Sequence, residues 1–157
     1  MKALVTYFSA SGVTAGLAKR LAEAVGAPLY EIRPAVPYSR ADLDWTNKQS
    51  RSTVEMLDKS CRPALADTGA PVADADVIFV GYPVWWYREP SIIDSFLSAY
   101  DFSGRKIVLF ATSGGSDIGA EASARVAEIT KTTVMPGRRF PANATVDELQ
   151  AWAEQYC

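Results

Sequence analysis

The 157-residue sequence contains no histidine. That absence removes the Ser-His-Asp triad, the Cys-His pair and the commonest zinc sites, so any chemistry belongs to other groups or to something the chain binds. Cysteine is scarce: Cys61 lies in a polar stretch and Cys157 is the last residue. Two such residues have no zinc spacing and build no disulfide framework, so both read as free thiols. Asp67, not Arg, stands six residues after Cys61, which excludes a phosphatase of the Cys-x5-Arg type. Positive charge is not in excess, with 16 Lys and Arg against 18 Asp and Glu for a net charge of -2. Nucleic acid and anionic membrane surfaces both select a basic face, so neither is an expected partner. No apolar run approaches the roughly 20 residues of a membrane span. The opening "MKALVTYF" carries one Lys and meets polar residues too soon for a secretory leader, so the cytoplasm is the expected location.

What the sequence does contain is alternation. Ala3 to Phe8, Pro28 to Ile32, Asp76 to Tyr82 and Lys106 to Thr112 read as strands, and Lys131 to Met135 as a weaker fifth. The first, third and fourth are nearly continuous apolar runs, the pattern of strands covered on both faces. Helical patterns lie between them. "TAGLAKRLAEAVG" places Leu17, Leu21, Ala24 and Val25 on one face and ends on Gly26. "PSIIDSFLSAY" opens with Pro90 and a Ser-x-x-Asp capping pattern at Ser91 and Asp94. "GAEASARVAEIT" spaces Ala122, Val126 and Ile129 helically. "TVDELQAWAEQYC" begins with a capping box at Thr145 and Glu148, and its stripe runs through Val146, Leu149, Ala153 and Tyr156 with Trp152 beside it. Arg33 to Ala75 is the exception, polar and broken by Pro34, Pro37, Pro63 and Pro71, with one helix expected from about Asp42 to Lys59. A chain of this length and pattern is expected to form a single domain, residues 1–157. The expected architecture is α/β: a three-layer sandwich around a five-stranded parallel sheet of order 2-1-3-4-5.

Ligands of such sheets bind beyond the carboxyl ends of the strands, where the strand order reverses. The loops after the first, third and fourth strands meet there. The first is "SASGVT", Ser9 to Thr14, opening a helix. Amides at a helix start favour a phosphate, hydroxyls of Ser9, Ser11 and Thr14 add donors, and Gly12 admits close approach. An ordinary N-cap turn would look similar. It is not a Walker loop, because no Gly-Lys-Ser/Thr follows. The second is "PVWWYREP", Pro83 to Pro90, whose aromatic residues either roof the core or stack on a planar ligand. The third is "TSGGSDIG", Thr112 to Gly119, whose glycines let main-chain groups read the edge of a flat heterocycle or simply make a loose turn. Together, a phosphate cradle, an aromatic wall and a glycine edge describe a mononucleotide with a large planar ring.

"YFSASGVT", "IFVGYPVWW", "YDFSGRKIVLFATSGGSDIG" and the stretch "DWTNKQSR" to "CRPAL" resemble the flavodoxin-like proteins, in particular the short branch with a Tyr-Pro-x-Trp-Trp loop. The resemblance spans nearly the whole chain and implies a noncovalent FMN. It implies that Ser9, Ala10, Ser11, Gly12, Val13 and Thr14 hold the phosphate. By the same resemblance Pro83, Val84, Trp85, Trp86 and Tyr87 line one side of the isoalloxazine, and Ser113, Gly114, Gly115, Ser116 and Gly119 meet the other side or the ring edge. The sequence departs from the family pattern at Val13, where Asn is frequent, and at Tyr87 and Asp117, where Gly is frequent.

The expected function is therefore that of an FMN redox protein. It would be either a carrier serving a redox partner protein or a small reductase moving electrons from NAD(P)H to a quinone-like acceptor. Carriers of this family use a glycine after the third strand for a peptide that turns over beside the flavin, and "PVWWYREP" has none, which favours electrons moving in pairs. The competing class is a non-redox module that binds a phospho-ligand or mononucleotide on the same scaffold. A receiver domain is excluded, since Ser9 and Pro83 stand where it needs acidic residues.

Overall fold

Five parallel strands form one sheet in the order β2-β1-β3-β4-β5, as the alternation predicts. The computed structural model describes residues 2–86, 88–112 and 122–157. In chain order the elements are β1 (Ala3–Tyr7), α1 (Val13–Val25), β2 (Leu29–Glu31), α2 (Arg51–Leu57), β3 (Val77–Pro83), α3 (Ser91–Ala99), β4 (Lys106–Thr112), α4 (Ala122–Thr130), β5 (Thr133–Phe140) and α5 (Val146–Ala153).

Period-two alternation divides the central strands between two cores. Val5, Val77, Phe79, Val108 and Phe110 face Leu17 and Leu21 of α1 and Leu149 and Trp152 of α5. Leu4, Ile78, Val80, Ile107 and Leu109 face Ile92, Ile93 and Phe96 of α3 and Ala122 and Val126 of α4. Both faces are thus covered, which explains the unbroken apolar runs. Each such Leu, Ile or Phe contributes roughly 1.5–3 kcal/mol by leaving water. Trp152, expected beside the α5 stripe, is inside it and packs edge-on against Phe140. Among the described residues no helix is long and apolar enough to cross a membrane.

Three local expectations are corrected. The fifth strand does not stop at Met135 but continues through Pro136 and Gly137 to Phe140. Met135 pairs with Val108 and Arg138 with Phe110, so two residues of β5 stand opposite Leu109 in a bulge. Proline is tolerated because β5 is an edge strand, and Gly137 supplies the left-handed φ of +71° that the bulge needs. The helix expected from Asp42 to Lys59 is only Arg51–Leu57, capped by the Ser50 hydroxyl accepting from the Thr53 amide. Ahead of it the side chains of Ser39, Asp42, Asp44 and Asn47 bond nearby backbone amides, offering the chain turns in place of a helix. At α3 the cap is Pro90, not Ser91, and the Ser91 hydroxyl donates to the Glu55 carbonyl at 3.2 Å. Asp94 caps nothing; it is fully buried among arginines.

Candidate functional site

The loop after β1 leaves the start of α1 open. Phe8 prolongs the β1–β3 ladder, its amide donating to the Gly81 carbonyl at 2.9 Å, and the chain then turns upward. Gly12 occupies the N-cap position at φ +95°, and no side chain caps the helix. The Ser9 hydroxyl accepts from the Gly12 amide at 3.0 Å, which braces the turn. Ser11, Gly12 and Val13 are exposed, and the first turn of α1 holds no acidic side chain. A helix start with neither a capping oxygen nor a carboxylate leaves its amides open to water or to an external anion.

Thr14 does not point to solvent with its neighbours. It is buried, and its hydroxyl lies 2.7 Å from that of Thr112 at the end of β4. The Thr112 carbonyl in turn accepts from the Val84 amide at 3.1 Å. Thr14 and Thr112 therefore tie the first turn of α1 and the carboxyl ends of β3 and β4 into one unit.

The aromatic loop after β3 places its two tryptophans differently. Trp85 roofs the core: its ring meets Phe8 at 5.6 Å and Tyr38 at 5.5 Å, both nearly perpendicular, and Phe8 meets Tyr38 at 5.7 Å. The Arg51 guanidinium lies 4.0 Å over the Tyr38 ring, and the Tyr38 hydroxyl donates to the Glu55 carboxylate. Burial, with that bond added, holds the Tyr38 hydroxyl well above the ordinary tyrosine pKa. Trp86 faces outward, 38% exposed, at the tip of a tight hairpin in which Trp85 and Arg88 exchange both backbone hydrogen bonds at 3.1 Å. Its φ of +47° is a left-handed conformation that a side chain rarely adopts. Pro83 and Val84, both half-buried, lead into the hairpin.

The structure thus brings Ser9, Ala10, Ser11, Gly12, Val13, Thr14, Pro83, Val84, Trp85 and Trp86 to the carboxyl end of the sheet. Tyr87, Ser113, Gly114, Gly115, Ser116, Asp117 and Gly119 lie outside the described residues. A cavity of about 440 Å³ adjoins the first loop, walled by Phe8, Ser9, Ala10, Pro37 and Tyr38, with Arg33 at its side. Among the described residues, larger clefts open at the amino end of the sheet, of about 680 and 930 Å³ around Asp76, Gly104 and Arg105 and of about 460 Å³ beside Pro28 and Pro71. Size does not select between them. Only the carboxyl end combines an uncapped helix start with an aromatic hairpin.

Sequence reasoning missed Phe8, Tyr38 and Thr112, which support the site from behind. It also missed the charges beneath the hairpin. Glu89 and Asp94 are fully buried and share Arg125 of α4. Burial first, then the neighbouring Asp94 charge, pushes the Glu89 carboxyl up to about 7. The available signal was Asp94 itself, a charge inside the apolar stripe "SIIDSFL".

A family model described as Flavodoxin matches residues 2–156. A presumed flavoprotein from Bacteroides eggerthii is 42% identical, with a TM-score of 0.91 over 98% of this chain and 96% of its own. Its counterpart from Bacteroides uniformis is also 42% identical, with a TM-score of 0.90 over 98% and 97%. A Lactobacillus acidophilus flavoprotein crystallised with FMN shares the fold at 20% identity and a TM-score of 0.68, over 97% and 98%. No curated protein matches the chain. With nearly its whole length inside the family model and the strand order and two structural relatives at 42% identity in agreement, the chain belongs to the flavodoxin family.

Proposed function

We propose that this protein binds one FMN noncovalently and passes electrons in pairs from a reduced nicotinamide to a small quinone-like acceptor. The observation that carries the reading is the uncapped start of α1 beneath the Trp86 hairpin. The residues fit the cofactor's parts. The phosphate meets the exposed Ser11 hydroxyl and the amides of Ser11 and Val13, the Gly12 amide being held by Ser9, with no lysine or arginine in that loop to help. Trp86 presents the outward indole for one face of the ring, while Trp85, held by Phe8 and Tyr38, fixes the hairpin from which Trp86 projects. Bound FMN supplies the redox chemistry itself; the protein contributes orientation and electrostatics. Preference for paired electrons rests on the hairpin. Its turn already sits at positive φ on a bulky residue and is closed by two backbone bonds, so a peptide there has little freedom to turn over beside the ring.

The test is extraction of the cofactor and comparison of two ligands. About one FMN per chain is expected, with tryptophan fluorescence rising when it is removed. Ser11→Asp sets a carboxylate against the phosphate and is expected to weaken FMN several-fold or more, while riboflavin, which lacks phosphate, barely responds. Release of FAD, failure to reconstitute with FMN, or equal losses for both ligands refutes the site. A stepwise reductive titration in which a one-electron form accumulates refutes the preference for paired transfer.

A further inference from the structure

A buried ionic cluster lies behind the Trp85–Arg88 hairpin. Arg125 of α4 donates from Nε to Glu89 Oε1 at 3.1 Å and from Nη2 to Asp94 Oδ2 at 2.8 Å. The same Nη2 lies 3.4 Å from the Lys59 carbonyl after α2. Arg88, almost fully buried, stands 3.5 Å from Asp94 and bonds the Glu89 and Met56 carbonyls, both at 3.0 Å. Arg62 approaches Asp94 from the outer side at 3.8 Å. Among the described residues the groups around Glu89 are thus Arg125 on α4, Asp94 on α3, Arg88 in its own loop and the Tyr82 hydroxyl on β3. Three buried oxygens in this cluster, Tyr82 Oη, Glu89 Oε2 and Asp94 Oδ1, have no hydrogen-bond partner among the described residues.

The placement of the bridge matters more than its strength. Glu89 follows the hairpin tip directly, and Arg125 lies in the first turn of the helix that follows the glycine-bearing loop after β4. One guanidinium therefore ties the chain leaving the Trp86 hairpin to α4 and, through Asp94, to α3. We propose that the Arg125–Glu89 bridge is a clamp that holds the Trp86 hairpin against α4, and that FMN is held tightly only while Glu89 is ionised. The inference rests on the FMN reading above. An ionised Glu89 adds an ion-pair attraction to the hydrogen bond it accepts from Arg125, and protonation, exchanged with solvent water, removes that attraction. The unpartnered Oε2 marks why the proton is easily taken: a buried carboxylate oxygen with no donor is costly to leave charged. Burial accordingly holds the carboxyl near neutrality, at about 7. Binding that requires the ionised form releases a proton, so affinity rises with pH through that value and levels off above it.

The test is titration of cofactor-free protein with FMN and with riboflavin between about pH 6 and pH 8. The FMN phosphate titrates near 6 by itself, at about the second pKa of any phosphomonoester, so only a slope shared by both ligands belongs to the protein. Wild type is expected to lose roughly tenfold in affinity for both ligands from pH 8 to pH 6. Glu89→Gln is expected to bind at the weak limit throughout, with the riboflavin slope gone. If that variant fails to fold, Glu89→Asp, one methylene further from Arg125, is expected to bind riboflavin several-fold more weakly while keeping the slope. A flat wild-type riboflavin profile, a slope that survives Glu89→Gln, or an unaltered affinity in Glu89→Asp overturns the clamp alone. Absence of binding for either flavin at every pH overturns the FMN reading and the clamp with it.

Discussion

Gly137→Ala and Gly12→Ala form a pair that separates backbone strain from steric exclusion. Both glycines have left-handed φ, +71° and +95°, so either alanine incurs a conformational cost of about 1–2 kcal/mol. Their surroundings differ completely. A Cβ at position 12 meets nothing within 4 Å, whereas one at 137 would stand 1.5 Å from the Leu109 carbonyl oxygen. That oxygen belongs to β4, hydrogen-bonded on both sides, and it cannot retreat without opening the bulge. Forced displacement in a packed interior adds about 1–3 kcal/mol, so Gly137→Ala is expected to cost about 2–5 kcal/mol in all. For a chain of this size each kcal/mol lowers the melting temperature by about 2–4 °C. Gly12→Ala should therefore lose about 2–8 °C and Gly137→Ala about 4–20 °C, read by circular dichroism and by urea unfolding at constant slope. FMN affinity should respond in the opposite order, because Gly12 sits in the proposed phosphate loop and Gly137 stands on the edge strand. Equal losses of stability, or a larger loss at position 12, would refute the bulge as the reason glycine is needed at 137.

Trp86→Gly and Trp86→Ala both remove the indole and differ only at the backbone. Relief of about 1–2 kcal/mol of left-handed strain, offset by about 0.4–1 kcal/mol of extra freedom in the unfolded chain, should leave the glycine variant more stable by about 0.5–1 kcal/mol. Both should bind FMN more weakly than wild type, and unchanged affinity in either would remove Trp86 from the ring wall. Thr112→Val strands the buried Thr14 hydroxyl and should cost about 1–3 kcal/mol in thermal unfolding. The double variant Thr14→Val/Thr112→Val should recover much of that loss, and strict additivity would refute the coupling between α1 and β4.

The amino-acid sequence determined the layered architecture without help. Apolar runs at residues 3–8, 76–82 and 106–112 specify strands buried on both faces, and the Leu17–Leu21 and Leu149–Ala153 spacings specify the helices that cover one of them. These are local signals, because burial on a face is written in residue periodicity. The first loop was legible for the same reason, as a glycine between hydroxyl residues ahead of a helix. Only the tertiary structure decided where nonlocal partners override local propensity. Pro136 and Gly137 read as the end of a strand, yet pairing with β4 carries β5 across them to Phe140. Ser91 and Asp94 have the spacing of a cap, yet Arg125, 31 residues further on, draws Asp94 inward. The same holds for the hydroxyl of Thr14, taken by Thr112, 98 residues away. A residue type announces what it can bond, whereas the fold determines which partner arrives. The contacts of Trp85 with Phe8 and Tyr38, of Thr14 with Thr112 and of Glu89 with Arg125 are such arrivals, and for that reason periodicity and motif spacing could not foretell them.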